Sequence, residues 1–207
     1  MSRCVIVGGA DINDYEKIKN YIRNDDFIIF CDSGLKHFEP LGIKADLIVG
    51  DFDSHQKPIT DIEMIVLPCE KDDTDTMFAV KEGISREFDD FLIIGGAGGR
   101  LDHTLGNLSI LFYLQTRGKK AMLVDDYSEI SVVAQKEAFV EDSFAYFSLL
   151  NISGCAKGVT VEDAKYPLKD AEITCEYPYG ISNEVLCGKR ARIFVKEGRL
   201  LLVKVFK

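Results

Sequence analysis

The sequence predicts an α/β N-terminal domain, with a mostly parallel sheet and helices on both faces, followed by an all-β sandwich domain. Up to about residue 125, short apolar strand patterns alternate with apolar stripes of helical period, which is the order expected of a parallel sheet covered by helices. From Glu129 onward, strand patterns follow one another without intervening helices, and turn residues separate them. We therefore expect two domains, residues 1–128 and 129–207.

The overall composition is that of a globular protein able to bury a core. Of its 207 residues, 46% are hydrophobic and 29% are charged. The net charge of -9 argues against nucleic acid or an anionic membrane as a partner, since both require a basic surface. The N-terminal stretch M-S-R-C-V-I-V-G-G lacks the layout of a signal peptide, and no apolar run is long enough to span a bilayer. A cytoplasmic location is expected.

The six cysteines give no sign of a metal site or a disulfide framework. None is closer than twelve residues to the next, so neither Cys-x-x-Cys nor a zinc-like spacing occurs. Several lie in apolar strand patterns, and the prediction is that they are reduced, buried and small hydrophobic residues.

Six strands and three main helices are predicted in the first half. The strand patterns are Cys4 to Val7, Phe27 to Cys31, Leu47 to Gly50, Ile62 to Leu67, Phe91 to Ile94 and Lys120 to Val124. The helical stripes are Tyr15, Ile18 and Ile22; Met77, Val80, Ile84 and Phe88; and Leu105, Leu108 and Phe112. We interpret the stripes as core-facing, and a further short helix is expected after Asp32-Ser33-Gly34.

Acidic residues stand where several of these elements begin or end. Asp51 and Asp53 follow the central strand, Asp32 follows the preceding strand, and the segment K-D-D-T-D brings Asp75 to a helix start. Ligands of open α/β sheets bind at the carboxyl ends of the strands. Closely placed carboxylates repel one another unless a cation holds them, and their hard oxygen atoms suit Mg²⁺ that bridges phosphates. The alternative interpretation is that they are turn residues and a helix N-cap.

A glycine-rich loop, G-G-A-G-G-R-L-D-H, follows the fifth strand. Four glycines in five positions disfavour a helix or strand interior, so the backbone of this loop can approach a ligand closely. Arg100 is suited to a phosphate, whereas His103 is as consistent with an outward-facing polar residue as with a functional one. Asp102 and Thr104 are candidate helix caps. Since no P-loop motif is present, these features predict Mg²⁺-dependent chemistry on a polyphosphate held in another way.

The second half contains one suggestive loop among its strand patterns. These patterns are Ile130 to Ala134, Ala145 to Leu150, Val159 to Val161, Ala171 to Tyr177 and Ala191 to Phe206, the last with a hairpin turn at residues 196–199. The loop Y-P-Y-G-I-S-N-E, residues 177–184, offers flat tyrosine faces and the hydrogen-bonding pair Ser182 and Asn183. Recognition of a small heteroaromatic molecule and a plain turn between strands are both consistent with it.

Along its whole length the chain resembles the bacterial thiamine pyrophosphokinases. The resemblance is carried, in order, by the motifs D-S-G (32–34), G-D-F-D-S (50–54), D-D-T-D (72–75), G-G-A-G-G-R-L-D-H (95–103), K-Y-P-L (165–168) and G-I-S-N-E (180–184). It implies Mg²⁺-dependent transfer of the pyrophosphoryl group of ATP to thiamine, giving thiamine diphosphate and AMP. It also implies a nucleotide-binding catalytic domain, a β-sandwich thiamine-binding domain, and a homodimer with active sites between subunits.

The resemblance assigns roles to particular residues. Catalytic acids are Asp32, Asp51, Asp53, Asp75 and Asp102, of which Asp51, Asp53 and Asp75 match the Mg²⁺ ligands. Nucleotide-contacting residues are Thr74, Gly95, Gly96, Gly98, Gly99 and Arg100. Ser182 matches a serine that hydrogen-bonds the aminopyrimidine ring, with Asn183 beside it. The chain has no Trp, which stacks on thiamine in some family members, so Tyr177 or Tyr179 is expected to take that position.

Two other functions fit part of the sequence. The stretch L-I-V-G-D-F-D-S-H matches the start of the haloacid dehalogenase motif, with Asp51 as nucleophile and Asp53 as acid and base, but His55 stands where that motif has Thr or Val. That reading also leaves the β-rich half unexplained. A non-catalytic sensor of thiamine or a nucleotide is the second alternative, although a mere binder has no evident need for so many clustered acids.

Overall fold

The structure, a computed structural model, describes residues 3–52, 59–68, 70, 72–152 and 154–207. It divides into two compact units, Met1–Asp126 and Tyr127–Lys207. The first unit is α/β and the second is built of antiparallel strands, so the predicted fold class is confirmed. Among the helices of the described residues, none combines the length and the hydrophobicity needed to cross a membrane.

In the part of the first unit that the structure describes, six parallel strands form the centre. They are β1 (Cys4–Val7), β2 (Phe27–Cys31), β3 (Leu47–Gly50), β4 (Glu63–Val66), β5 (Asp90–Ile94) and β6 (Lys120–Val124). Their order in the sheet is β4-β3-β2-β1-β5-β6, and every neighbouring pair is parallel. All four residues of β1 are buried, as expected of a central strand covered on both faces. Because the chain order reverses beside β1, the carboxyl ends of β1, β2 and β5 border the crevice in which such sheets bind ligands.

The helices of this unit follow the predicted order. They are α1 (Tyr15–Lys19), a 3₁₀ helix (Asp32–His37), α2 (Phe38–Leu41), α3 (Asp75–Ser85) and α4 (Leu101–Thr116). The predicted inward face of α4 is wrong at Leu105, which is 53% exposed. Since the helix begins at Leu101, its period places Leu101 and Leu105 together on the outside, and Ile110 and Leu114 carry the buried face.

Within its described residues, the second unit contains seven strands. They are β7 (Ser128–Val133), β8 (Ala138–Glu141), β9 (Tyr146–Leu150), β10 (Cys155–Glu162), β11 (Leu168–Thr174), β12 (Arg190–Phe194) and β13 (Leu200–Val205). Strands β7, β13 and β9 pair antiparallel in that order, and β11-β10-β12-β8 form a four-stranded sheet. Phe147 and Leu202 from the first set pack in one core with Ile173 and Ile193 from the second. This is the arrangement of a sandwich.

The predicted hairpin at residues 196–199 is wrong. Strand β12 pairs with β10 and β8, whereas β13 pairs with β7 and β9, so the K-E-G-R segment passes from one sheet to the other. Ile193 and Leu202 meet across the core instead of lying side by side in one sheet. The apolar pattern identified both strands but carried no information about their partners.

The cysteine prediction is correct for Cys4 and Cys31 and wrong for Cys175 and Cys187, and Cys69 lies outside the described residues. Cys4 and Cys31 are buried free thiols, and burial raises the pKa of Cys4 to about 12. Cys175 and Cys187 are exposed free thiols because the segments that carry them lie outside the strands.

Candidate active site

Three carboxylates converge at the carboxyl edge of the parallel sheet. Asp32 follows β2, Asp51 follows β3, and Asp75 is the first residue of α3. One oxygen from each lies within 4.8 Å of the others. Burial raises the pKa of Asp32, and the negative charge of Asp75 raises it further. Asp53, the fourth predicted acid of this region, lies outside the described residues.

Close backbone approach brings Asp32 and Asp51 together. A Cβ at Gly50 would overlap the Cβ of Asp32, so the end of β3 lies directly against that residue. Phe52 has a φ of 55°, a conformation that is uncommon for a residue other than glycine, and its N–H donates to Oδ2 of Asp32 at 3.2 Å. Phe52 is thereby held against the Asp32 carboxylate.

The third acid is placed by the start of a helix. Oγ1 of Thr74 accepts a hydrogen bond from the N–H of Met77 at 3.2 Å and so caps α3. Asp75 then stands in the first turn, where the helix dipole favours a negative charge. The neighbouring Asp73 is not part of this group and pairs with Lys81.

The glycine-rich loop is fastened to the sheet and to α4. Gly95 has a φ of 61°, and a Cβ there would lie 2.5 Å from the carbonyl oxygen of Gly8, so only glycine fits. Nδ2 of the buried Asn107 donates to the carbonyl oxygen of Gly96 at 2.7 Å. Oγ1 of Thr104 accepts from the N–H of Gly98 at 3.1 Å. The helix begins without a side-chain cap, so the predicted capping roles of Asp102 and Thr104 are wrong, and Thr104 holds the loop instead.

These segments enclose a pocket of about 520 Å³ in the first unit. It brings together most of the predicted acidic and nucleotide-contacting residues with several that the sequence did not single out. The predicted residues in its wall are Asp32, Asp51, Thr74, Asp75, Gly95, Gly96, Gly98, Gly99 and Arg100. The others are Gly9, Ala10, Asp11, Ser33, Lys36, Thr76, His103 and Asn107, of which sequence analysis had left His103 undecided.

Two cationic side chains border this pocket, and each has an acidic partner. Nζ of Lys36 lies 2.5 Å from Asp11. The guanidinium group of Arg100 donates twice to Asp102, at 2.6 and 3.2 Å, and this pairing lowers the pKa of the Asp102 carboxyl group. Asp102 itself borders a neighbouring pocket of about 500 Å³ that also contains Met77 and shares Thr74, His103 and Asn107 with the first. Asp102 thus borders a different pocket from the three converging acids and is paired with Arg100.

The predicted thiamine-contacting residues lie in the second unit, beyond β11. Ser182 and Asn183 are adjacent in a loop that runs beside β9, with Ser182 exposed and Asn183 buried. The rings of Tyr177 and Tyr179 are both exposed, with their centroids 6.4 Å apart. The structure therefore offers one hydroxyl group and a pair of aromatic faces, while the amide of Asn183 is turned inward.

The fold and the pocket are those of a kinase-type transferase, and comparison with known proteins specifies the family. A family model described as "Thiamin pyrophosphokinase, catalytic domain" matches residues 18–123, and one described as "Thiamin pyrophosphokinase, vitamin B1 binding domain" matches residues 132–200. The chain belongs to the thiamin pyrophosphokinase family. The predicted resemblance and the predicted enzyme class are confirmed, and the phosphatase and sensor alternatives are wrong.

Individual relatives agree with this assignment. The chain is 29% identical over 211 residues to the thiamine pyrophosphokinase of Bacillus subtilis, with 96% of each chain covered. The crystal structure of a thiamine pyrophosphokinase from the same organism superposes with a TM-score of 0.87 at 25% identity, covering all of both chains. The enzyme from Geobacillus thermodenitrificans superposes with a TM-score of 0.84 at 25% identity, covering 99% of this chain and 98% of the other.

Proposed function

We propose that this enzyme transfers the pyrophosphoryl group of ATP to the hydroxyethyl oxygen of thiamine in an Mg²⁺-dependent reaction that gives thiamine diphosphate and AMP. The observation that carries the proposal is the convergence of Asp32, Asp51 and Asp75 beside a glycine-lined pocket. In the reaction, the thiamine oxygen forms a bond to the β-phosphorus while the bond from that phosphorus to the oxygen bridging to the α-phosphate breaks. AMP leaves with that bridging oxygen, and the hydroxyl group loses its proton.

The donor set of the three acids fits a divalent cation. It consists only of carboxylate oxygens, which are the ligands that Mg²⁺ prefers, and burial together with the negative charges of Asp75 and Asp51 raises the pKa of Asp32. We assign Asp51 and Asp75 as ligands with Asp32 completing the group, and Asp53 is proposed as a further ligand by family resemblance. Bound Mg²⁺ would neutralise the phosphate oxygens and make the transferred phosphorus more electrophilic.

The rest of the pocket is suited to the polyphosphate of ATP. Gly95, Gly96, Gly98 and Gly99 present backbone without side chains, so phosphate oxygens can approach this loop closely. Lys36 and Arg100 add positive charge at the border of the pocket. Thr74 stands at the N-terminus of α3, where backbone N–H groups favour a bound anion such as phosphate. We propose that these residues orient the chain of phosphates, and that Asp102 acts by orienting Arg100.

The second unit is proposed to bind thiamine. The hydroxyl group of Ser182 would hydrogen-bond the aminopyrimidine ring, and Tyr177 or Tyr179 would stack on it in place of the absent tryptophan. By family resemblance, the enzyme is proposed to be a homodimer with active sites formed between subunits. We also propose that it acts in the cytoplasm, where ATP and Mg²⁺ are supplied.

A ³¹P NMR time course of the purified protein with ATP, Mg²⁺ and thiamine tests this proposal. AMP and thiamine diphosphate should appear together and at equal rates, and neither should form when thiamine or Mg²⁺ is omitted. ADP with inorganic phosphate, or no reaction under any of these conditions, would contradict it. Size-exclusion chromatography with light scattering tests the proposed dimer, which a mass near that of one 23.2 kDa chain would disprove.

A further inference from the structure

The side chain of Asn183 makes three hydrogen bonds within the protein. Its Oδ1 accepts hydrogen bonds from the N–H of Tyr166 at 3.0 Å and from that of Glu184 at 2.9 Å. Its Nδ2 donates to the carbonyl oxygen of Tyr166 at 2.8 Å. The residue is only 6% exposed, so the amide faces the interior of the second unit. Both lone pairs of Oδ1 are used, which leaves that atom without capacity for a ligand.

Asn183 thereby joins two segments that are distant in the sequence. One is K-Y-P-L, residues 165–168. The side-chain amide of Asn183 bonds both the N–H and the carbonyl oxygen of Tyr166 in this segment, as a neighbouring strand would. The other is its own loop, G-I-S-N-E, residues 180–184. The backbone of Asn183 also exchanges two hydrogen bonds with Phe147 on β9, at 2.8 and 2.9 Å. The residue is consequently held from two sides.

The residue before it has an unusual backbone. Ser182 has a φ of 57°, in the left-handed region that residues with a side chain rarely occupy. Its N–H donates to Oγ of Ser148 on β9 at 3.0 Å, and Ser148 is itself buried. Such a conformation persists only where neighbouring contacts determine it, and it is typical of functional sites. Here the contacts are the Ser148 bond on one side and the fixed Asn183 on the other.

We propose that Asn183 is a positioning residue for thiamine rather than a contact to it. Its amide fixes the loop to the K-Y-P-L segment, and together with Ser148 it maintains the left-handed conformation of Ser182 that directs the serine hydroxyl outward. This inference rests on the proposed binding of thiamine at Ser182. It gives the backbone of Tyr166, within K-Y-P-L, a function as the anchor of the thiamine loop.

Two variants remove the two supports without touching the exposed surface. Asn183→Asp keeps Oδ1 as an acceptor but places an oxygen opposite the Tyr166 carbonyl, where Nδ2 had donated. Ser148→Ala deletes the acceptor of the Ser182 N–H. The matched control is Lys165→Met, which breaks an ion pair of 2.7 Å between Lys165 and Glu184 that joins the same two segments but is half exposed. An exposed pair of this kind contributes little.

The test is steady-state kinetics with thiamine and ATP varied separately. For Asn183→Asp and for Ser148→Ala, we expect the KM for thiamine to rise by about tenfold or more, while the KM for ATP and kcat stay within about twofold of the wild type. Lys165→Met should leave all three unchanged. Similar effects from Ser148 and Asn183 would identify positioning, since both side chains are buried and differ in chemistry.

The outcomes separate this inference from the proposed function. A wild-type protein that does not convert thiamine refutes the proposed function before any variant is made. If the wild type is active, an unchanged KM for thiamine in Ser148→Ala or in a folded Asn183→Asp overturns the positioning role. Equal losses with both substrates, together with a lower Tm, also overturn it, because they indicate a purely structural contribution. Should Asn183→Asp fail to fold, Ser148→Ala decides alone, as it removes a single hydroxyl group.

Discussion

Nε2 of His37 lies 2.9 Å from the carbonyl oxygen of Ala10. Since a carbonyl oxygen can only accept, Nε2 carries the hydrogen, and Nδ1 accepts from the hydroxyl group of Tyr15 at 2.8 Å. The residue is 1% exposed, so water cannot replace these two hydrogen bonds. This bond fastens the segment around Ala10, which lines the pocket, to the 3₁₀ helix that begins at Asp32.

The first prediction concerns the pH dependence of stability. Burial lowers the pKa of His37 from its ordinary value of 6.5, and the charge of Lys36 lowers it too, although the Ala10 hydrogen bond and Asp11 act in the opposite direction. Between the lowered pKa and pH 6.5, the ring therefore stays neutral in the folded protein, whereas in the unfolded chain it takes up a proton. The contribution of neutral His37 to folding is complete above pH 6.5 and is lost as the pH falls from 6.5 through the lowered pKa.

His37→Gln should remove this part of the pH dependence, because an amide does not titrate and can still donate to Ala10. Urea unfolding at pH 7.5, 6.5 and 5.5 measures it: the decline in unfolding free energy on acidification should be smaller in His37→Gln than in the wild type. His103→Gln, a change at an exposed histidine, should retain the wild-type decline. Parallel curves for wild type and His37→Gln would rule out this linkage.

The second prediction concerns the converging acids. Asp75→Asn should reduce turnover by about 10²-fold or more, since it removes a charge that the proposed Mg²⁺ site requires. In the absence of Mg²⁺, the Tm of Asp75→Asn should not fall much below that of the wild type, because the substitution removes one of three mutually repelling carboxylates. Mg²⁺ should raise the Tm of the wild type more than that of the variant. Asp73→Asn alters only an acid paired with Lys81 and should stay active. Turnover of Asp75→Asn near that of Asp73→Asn would exclude Asp75 from the site.

The parts of the pocket that could be predicted are those encoded locally. A buried strand that ends in a carboxylate, or an acid at a helix start, is visible within a few residues, and Asp32, Asp51 and Asp75 were recognised in this way. Lys36 and Asn107 were missed because each lies inside a helix, where its residue type is ordinary. Only the fold turns Asn107 toward Gly96 and places Lys36 at the border of the pocket.

The second unit shows the same limit. Its strands could be recognised from apolar alternation, but pairing depends on residues far apart in sequence, so the hairpin at 196–199 was wrongly predicted and β8 was not recognised. Asn183 was assigned to substrate contact because it adjoins Ser182. Nothing near it in the sequence shows that its amide is bonded to Tyr166, 17 residues earlier.

The third prediction concerns Lys36, which sequence analysis did not single out. Lys36→Met should raise the KM for ATP by about tenfold and leave the KM for thiamine nearly unchanged, because a charge-assisted contact with phosphate is lost. Lys19→Met, at a lysine paired with Glu16 on α1, serves as the control and should behave as wild type. Steady-state kinetics with ATP varied decides the point. Equal KM values for ATP in the two variants would show that Lys36 serves only to pair with Asp11.

The fourth prediction concerns Arg100 and Asp102. Asp102 is proposed to act by holding the guanidinium group of Arg100 through a two-point contact. Because Arg100→Lys abolishes this contact, a second substitution at Asp102 should then have no further effect on activity. Arg100→Lys and Asp102→Asn should each lower kcat/KM for ATP, and the double variant should resemble the more impaired single one. Losses that multiply in the double variant would instead give Asp102 an independent catalytic role.

The last prediction compares the same substitution at two glycines. A Cβ at Gly50 would overlap Asp32, so Gly50→Ala should displace the carboxylate group, lower turnover by about tenfold or more and reduce the unfolding free energy by about 1–3 kcal/mol. Gly106 lies within α4, where an added Cβ would meet no atom within 4 Å beyond the adjacent backbone of its own helix, and Gly106→Ala should raise the unfolding free energy by about 1 kcal/mol. Initial rates and urea unfolding of both variants measure these changes. An active and stable Gly50→Ala would mean that the end of β3 can move without disturbing the acids, and the close contact between Gly50 and Asp32 would then not be what positions them.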